Sequence, residues 1–144
     1  MPWKGRHFLS LADLTKEDML GLMQRASHFL DAGDRFEPDA PLAEKIVANL
    51  FMENSTRTRC SFTIATKRLG GDVIDLLGST SSASKGESLV DTTLNLEAIG
   101  VAGIVVRCSE ERGPWDIAEH VGVPVINAGS GTTSHPTQAL LDAV

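Results

Sequence analysis

Hydroxyl and guanidinium side chains are concentrated in residues 55–59, Ser-Thr-Arg-Thr-Arg. The apolar run at 46–51 predicts a buried strand before this stretch, and the pattern at 60–69 predicts a helix after it. Ser55 suits the N-cap, so the free N–H groups of the first turn would point toward an anion. Arg57 and Arg59 add bidentate donors for phosphate or carboxylate. The density of these groups favours an anion site over an ordinary capped helix with solvated arginines.

Apolar runs and helical patterns alternate from residue 45 onward, in the order βαβαβαβα. This order predicts an α/β fold, a doubly wound parallel sheet of about four strands flanked by helices. Ligands of such sheets bind at the carboxyl ends of the strands, near the switch point. Strands are predicted at 46–51, 72–77, 101–106 and 123–127, and helices at 60–69, 87–99, 114–120 and from Pro136 onward.

Two further polar residues are expected at the carboxyl edge of this sheet. Arg107 stands just past the third predicted strand, where the alternative is a solvated strand end. His135 follows the fourth strand and precedes Pro136, which suits the first position of a helix. A single histidine in such a place is more often structural. Because carboxyl ends of parallel strands share one edge, both are expected to converge on one cavity with the Ser55 turn.

Residues 78–86 are small and polar, and Lys85 is their single cation. Composition alone favours a plain loop with a solvated lysine. The functional alternative is a lid whose lysine reaches an anion.

Several common sites are not supported by the sequence. The segment Gly129-Ser130-Gly131 is only part of a dinucleotide fingerprint, because no acidic residue follows about 20 positions later. No triphosphate-binding G-x-x-x-x-G-K-[ST] motif occurs, and no pair of histidines has metal-ligand spacing. Neither a cofactor nor a metal is therefore expected.

Length, composition and charge set broader limits. The 144 residues suggest one domain, and the formal net charge of −6 does not favour a nucleic-acid partner. Cys60 and Cys108 lack C-x-x-C spacing, which predicts a reducing compartment and buried apolar roles for both. Neither a membrane-spanning run nor a secretory signal is evident, so a cytoplasmic location is expected.

Three segments resemble the signatures of the transcarbamoylase family, where they mark the carbamoyl-phosphate-binding domain. They occur in the family's order and cover essentially the whole chain: Ser-Thr-Arg-Thr-Arg at 55–59, Ser-Lys-Gly-Glu at 84–87 and His-Pro-Thr-Gln-Ala-Leu-Leu-Asp at 135–142. The loop around Lys85 and the presence of Thr137 resemble aspartate transcarbamoylases more than ornithine transcarbamoylases.

The resemblance implies a role for each matching residue. The phosphate would be held by Ser55, Thr56, Arg57 and Thr58. The carbamoyl carbonyl oxygen would receive hydrogen bonds from Thr58, Arg107 and His135. The carbamoyl amino group would be bound by Gln138. Two residues would enter the site from the neighbouring subunit of a homotrimer, Ser81 and Lys85.

The implied reaction is attack of the L-aspartate amine on carbamoyl phosphate, giving N-carbamoyl-L-aspartate and phosphate for pyrimidine biosynthesis. Residues 1–144 would form the carbamoyl-phosphate-binding domain, whereas family chains are about twice as long and carry a second, aspartate-binding domain. The chain would then be a fragment or an isolated domain, and turnover by it alone is not expected. The rival hypotheses are another amine substrate, such as ornithine, and a non-catalytic anion-binding or assembly module.

Overall fold

The computed structural model describes residues 6–33, 39–78, 88–132 and 134–144. A short 3-10 helix, Leu11–Asp13, precedes the main elements. These are α1 Lys16–Ala32, β1 Ile46–Phe51, α2 Thr56–Arg68, β2 Asp72–Leu77, α3 Leu89–Ala98, β3 Gly103–Cys108, α4 Gly113–His120, β4 Val125–Ser130 and α5 Pro136–Ala143.

The four strands form one parallel sheet in the order β2-β1-β3-β4. The predicted α/β fold is therefore confirmed, with the switch point between β1 and β3 and with β2 at one edge. Phe51 at the end of β1 pairs with Leu77 of β2 and with Arg107 of β3. This register brings the carboxyl ends of three strands to one level, where the turn at Ser55 begins.

Apolar side chains cover both faces of the central strands. Leu50 and Val106 are fully buried in a cluster that includes Leu96 of α3 and Ile117 of α4. On the other face, Phe51, Val105 and Ala128 form a second cluster, against which Phe62 of α2 packs. Burial on both sides explains why the sequence of β1 and β3 is a continuous apolar run rather than an alternating one.

The third strand lies two residues later than the sequence predicts. The N–H of Val101 donates to the carbonyl of Leu96 at 3.1 Å, so this residue belongs to the connection from α3. At the other end, the carbonyl of Arg107 accepts from the N–H of Met52 at 2.8 Å. The prediction that Arg107 stands past the strand is therefore wrong, because it lies within β3 and its backbone is part of the sheet.

The fourth strand is displaced in the same direction. Pro124 has no N–H to give to a ladder, and its carbonyl accepts from Ile104 before β4 begins. The outer edge of β4 is covered by Phe8, whose N–H donates to Val125 at 2.8 Å and whose carbonyl accepts from Asn127 at 2.9 Å. No helix within the described ranges is long and apolar enough to cross a membrane.

Candidate functional site

Helix α2 begins at Thr56, inside the hydroxyl- and arginine-rich stretch. Ser55 occupies the N-cap position, as predicted, but its hydroxyl makes no cap hydrogen bond. By contrast, Ser10, Thr15 and Ser88 each accept a hydrogen bond from the helix that they precede. The prediction that the Ser55 side chain caps the helix is therefore wrong. The first-turn N–H groups of α2 have no side-chain cap, so water or an anion must take their hydrogen bonds.

Two cavities flank this turn. A cavity of about 440 Å³ lies toward β2 and is lined by Ser55, Glu53 and Arg59, among others. A second cavity, of about 290 Å³, lies between α2 and α5. Four of the predicted site residues line this second cavity: Arg57, Thr58, His135 and Gln138. The structure thus brings together residues that are about 80 positions apart in the chain, whereas Thr56 is exposed and lines neither cavity.

Arg107 lines neither cavity, but it lies next to one lining residue of each, Glu53 and His135. Its Nη1 donates to the carbonyl of Ala128 at 3.1 Å and contacts Nε2 of His135 at 3.1 Å. Its Nε lies 3.7 Å from Oε2 of Glu53, which is too long for a hydrogen bond. Nε is buried and has no hydrogen-bond partner among the described residues. The guanidinium is therefore held in place through Nη1, while Nε lies buried beside Glu53.

His135 is the N-cap residue of α5, and its ring is half-buried. A guanidinium cannot accept a hydrogen bond, so Nε2 is the acceptor in the contact with Arg107. The ring proton then lies on Nδ1, 3.4 Å from Oγ1 of Thr137. Burial and, second, the positive charge of Arg107 lower the pKa of His135 below its ordinary value of 6.5. His135 is therefore a neutral imidazole near pH 7.

The two arginines of the 55–59 stretch lie in different environments. Nη1 of Arg59 binds Oδ2 of Asp75 at 2.8 Å, and Oδ1 of Asp75 accepts from Nδ2 of Asn49 at 3.0 Å. This network ties α2 to β1 and β2. Arg57 is exposed beside the second cavity and forms no ion pair within the described part of the chain. The carboxylate at position 75 was the sequence signal that could have separated these two arginines.

The remaining predicted residues differ in what the structure says of them. Gln138 is exposed, and its Nε2 donates to Oδ1 of Asp142 at 3.0 Å, one helical turn away. This contact uses Nε2, so Oε1 of Gln138 could accept from a carbamoyl amino group while the contact stays in place. Ser81 and Lys85 lie outside the described residues. Their assignment to a neighbouring subunit stays a prediction.

Sequence reasoning missed the polar turn at the end of β4. Asn127 is fully buried, and its side chain bonds to Ser130 and Ser134, just before His135. Gly129 has a φ of +132°, and a Cβ on it would lie 2.8 Å from Nη1 of Arg107. An asparagine followed by small residues is typical of a turn held by its own side chain, and that was the available signal.

The two cysteines have different environments. Cys108 is buried, and burial is the main cause that raises its pKa to about 12, so its thiol stays protonated at neutral pH. Cys60 is exposed on α2, so the prediction that it is buried is wrong. Across the described ranges, no group of three or more His, Cys, Asp or Glu side chains could hold a metal ion.

Comparison with known sequences identifies relatives of this chain. The catalytic subunit of aspartate carbamoyltransferase from Aliarcobacter butzleri is 48% identical over 137 residues, covering 95% of this chain and 45% of the relative. The corresponding subunit from Corynebacterium diphtheriae is 47% identical over 146 residues, covering 96% of this chain and 47% of the relative. The chain therefore spans about half the length of the curated relatives that it matches.

Solved structures of aspartate transcarbamoylases share the fold. The enzyme of Trypanosoma cruzi in complex with carbamoyl phosphate and aspartate matches with a TM-score of 0.84 at 34% identity, covering 96% of this chain and 43% of that one. The catalytic subunit of M. jannaschii matches with a TM-score of 0.80 at 39% identity, covering 94% and 44%. The family model "Aspartate/ornithine carbamoyltransferase, carbamoyl-P binding domain" matches residues 6–144. The resemblance seen in the sequence is confirmed, and the chain belongs to the aspartate and ornithine carbamoyltransferase family through its carbamoyl-phosphate-binding domain.

Proposed function

We propose that this chain is the carbamoyl-phosphate-binding part of an aspartate carbamoyltransferase. The observation that carries the proposal is the cavity of about 290 Å³ between α2 and α5, which is bordered by Arg57 and Thr58 on one side and by His135 on the other. An uncapped helix start with an arginine suits a phosphate, and polar donors across a small gap suit a carbonyl group. The similarity to catalytic subunits of aspartate carbamoyltransferase also supports the proposal.

The phosphate end of the ligand is assigned to the first turn of α2. Backbone N–H groups at 56–58 and the positive end of the helix dipole favour a dianion there. Arg57 supplies two parallel hydrogen bonds, because it is exposed toward the cavity and has no ion pair with a described residue. Ser55 and Thr56 contribute their hydroxyls. The overall charge of −6 is unfavourable for an anion, so this local concentration of donors has to attract it.

The carbamoyl end is assigned to residues on both sides of the cavity and to Arg107, which contacts His135. Thr58, Arg107 and His135 would donate to the carbonyl oxygen, and Gln138 would bind the amino group. His135 accepts from Arg107 in this structure, so its Nε2 becomes a donor only when that contact opens and the ring proton moves to Nε2. Binding is therefore expected to rearrange the pair formed by Arg107 and His135.

In the proposed reaction, the amine of L-aspartate attacks the carbamoyl carbon. A C–N bond forms, the C–O bond to phosphate breaks, and the proton lost by the amine passes to the departing phosphate. Negative charge develops on the carbonyl oxygen, where Arg107 and His135 would stabilise it more strongly than in the ground state. Arg57 would stabilise the departing phosphate. Holding the amine and the carbamoyl carbon in the reactive orientation supplies much of the acceleration. The sequence of steps requires no covalent enzyme intermediate.

The assembly proposed for the complete protein is a cytoplasmic homotrimer that serves pyrimidine biosynthesis. Ser81 and Lys85 follow β2 in the sequence, and β2 lies at the edge of the sheet, where a neighbouring subunit could approach. Mixing Arg57→Ala and Lys85→Ala versions of the complete protein tests this arrangement. Partial recovery of activity is expected, because some interfaces would pair an intact Arg57 with an intact Lys85. No recovery, or a monomer in sedimentation, would argue against a shared site.

The binding proposal is tested with the 144-residue chain by calorimetry. Arg57→Ala should weaken carbamoyl phosphate and inorganic phosphate by about tenfold to a hundredfold, since a charge-assisted hydrogen bond contributes roughly 1.5–3 kcal/mol. Lys67→Ala is the matched control, because it removes the same charge from the exposed far end of α2. Unchanged affinity in Arg57→Ala, or an equal loss in Lys67→Ala, would overturn the assignment.

A further inference from the structure

Asn127, in β4, is 0% exposed, and its side chain uses both ends for hydrogen bonds. Nδ2 donates to the carbonyl of Leu9 at 3.0 Å and to the hydroxyls of Ser130 and Ser134 at 3.2 Å each. Oδ1 accepts from the N–H of Gly129 at 2.9 Å. An amide has two N–H groups, so one of them is shared between acceptors. One side chain therefore links three parts of the chain: Leu9 before the first helix, the end of β4 at Ser130, and Ser134 just before α5.

The partners of Asn127 lie directly beside Arg107 and His135. Ala128, between Asn127 and Gly129, presents the carbonyl that accepts from Nη1 of Arg107 at 3.1 Å. The N–H of Gly129 donates to Oδ1 of Asn127, and this hydrogen bond fixes the backbone on both sides of the Ala128 carbonyl.

Gly129 lies close to the same guanidinium. A Cβ at this position would lie 2.8 Å from Nη1 and 3.2 Å from Cζ of Arg107. Its φ of +132° also belongs to a region that residues with a Cβ rarely adopt. The backbone that Asn127 holds is therefore the surface against which the Arg107 side chain rests.

Asn127 is linked to His135 through a single intervening residue, Ser134. Ser134 immediately precedes His135, and its carbonyl accepts from the N–H of Ser130 at 2.9 Å. Asn127 donates to the hydroxyls of both serines, so it holds together the two ends of the segment that returns the chain to the cavity. If this clamp were lost, the backbone before His135 would be free to move.

We propose that Asn127 is a positioning residue that sets the relative placement of Arg107 and His135 for the carbamoyl carbonyl oxygen. This inference rests on the proposed function, since it assigns the carbonyl oxygen to that pair. Asn127 itself is buried beneath the turn and acts through Ala128, Gly129 and Ser134.

A second buried asparagine provides the control. Asn49 on β1 is also 0% exposed, and its Nδ2 donates to Oγ1 of Thr63 and Oδ1 of Asp75. These partners belong to α2 and β2 and are not adjacent to His135 in the chain. If Asn127 served only the stability of the fold, its loss and the loss of Asn49 would affect His135 alike.

The test is the titration of the His135 imidazole by NMR in the ligand-free chain. The charged groups near this ring are Arg107, which contacts it and lies 3.7 Å from Glu53, and Arg57 of α2, which lines the same cavity. In the wild type the midpoint should lie below 6.5, the ordinary value of histidine. In Asn127→Ala it should rise toward 6.5, because the ring leaves its partly buried place beside Arg107. In Asn49→Ala it should stay where it is in the wild type.

Ser134→Ala is the milder second variant in case Asn127→Ala does not fold. It removes one acceptor of Asn127 and keeps the backbone bond between positions 130 and 134, so a smaller rise is expected. No rise in either variant, or an equal rise in Asn49→Ala, would overturn the inference. Because the titration needs no ligand, a failure of the wild type to bind carbamoyl phosphate would refute the proposed function separately.

Discussion

After β1 and after β4, the chain turns at the same edge of the sheet and enters a helix through nearly the same backbone conformation. Ser55 has φ −148° and ψ 81°, and His135 has φ −142° and ψ 72°. Neither side chain caps its helix. Helix α2 has all of its first-turn N–H groups, whereas α5 begins with Pro136 and therefore has one N–H group fewer.

The two turns use their polar groups in different ways. The turn after β1 leaves its hydroxyls and Arg57 near the surface, where water can satisfy them until an anion binds. The turn after β4 is held by Asn127, which is buried within that strand and bonds to Gly129, Ser130 and Ser134. Buried polar groups are costly unless they are paired, so this second turn has little freedom. Under the proposed function, the first turn would supply donors to the ligand, and the second would set the geometry of Arg107 and His135.

The largest expected effect comes from filling the rigid turn. Gly129→Ala should lower the free energy of unfolding by about 2–3 kcal/mol, because it adds backbone strain and a contact with the Arg107 guanidinium. Gly21→Ala is the matched control, since Gly21 lies in α1 and a Cβ there meets nothing within 4 Å. That control should stabilise the chain by about 0.5–1 kcal/mol. Urea unfolding measures both, and equal changes would contradict the close approach at Gly129.

A smaller effect should separate the two arginines of the open turn. Arg59→Ala breaks the ion pair with Asp75, whose partly exposed side chains limit the loss of stability to about 0.5–1 kcal/mol. Arg57→Ala should leave the unfolding midpoint unchanged while it weakens phosphate binding. Urea unfolding and calorimetry on both variants test this division. A loss of stability in Arg57→Ala as large as that in Arg59→Ala would show that Arg57 is structural too.

The smallest expected effect concerns the pKa of His135. Arg107→Gln should raise it, but not fully to 6.5, because burial is the larger cause of its lowering and remains. Arg112→Gln, at the exposed start of α4, removes the same charge and should leave the pKa unchanged. NMR titration in the two variants checks the prediction, and an unchanged pKa in Arg107→Gln would argue against the contact.

The same pKa has a consequence for stability. As the pH falls below 6.5, His135 binds a proton in the unfolded chain before it does so in the folded chain. Stability therefore falls with pH between 6.5 and the lower pKa of the folded chain, and this contribution is fully present above 6.5. In Arg107→Gln the pH range over which stability falls should be narrower, because the pKa of His135 in the folded chain lies closer to 6.5.

The sequence predicted the parts of the fold that depend on continuous apolar runs. The bounds of β1 and β2 agree with prediction, and α3, α4 and α5 start within two residues of the expected places, whereas α2 starts at Thr56, four residues before the predicted pattern. The bounds of β3 and β4 differ from prediction by two or three residues. Apolar residues such as Val101 also occur in the connections before these strands, and apolarity alone does not distinguish them from strand residues.

The site was predicted more completely at the open turn than at the buried one. Arg57 and Thr58 are recognisable because exposed donors at a helix start have few structural uses. Asn127 sits within an apolar strand, and only its three-dimensional partners reveal what it holds. The uncapped state of Ser55 depends on backbone angles that the residue type does not determine.

The most direct test of the division between the two turns is an NMR titration of the chain with inorganic phosphate and, separately, with carbamoyl phosphate. Phosphate alone should shift the amide resonances of residues 56–58 and leave the His135 ring and the Arg107 side chain nearly unchanged. Carbamoyl phosphate should shift both sets, because only it carries the carbonyl group. If phosphate moves both sets equally, or if carbamoyl phosphate leaves His135 and Arg107 unaffected, the account of the two turns is contradicted.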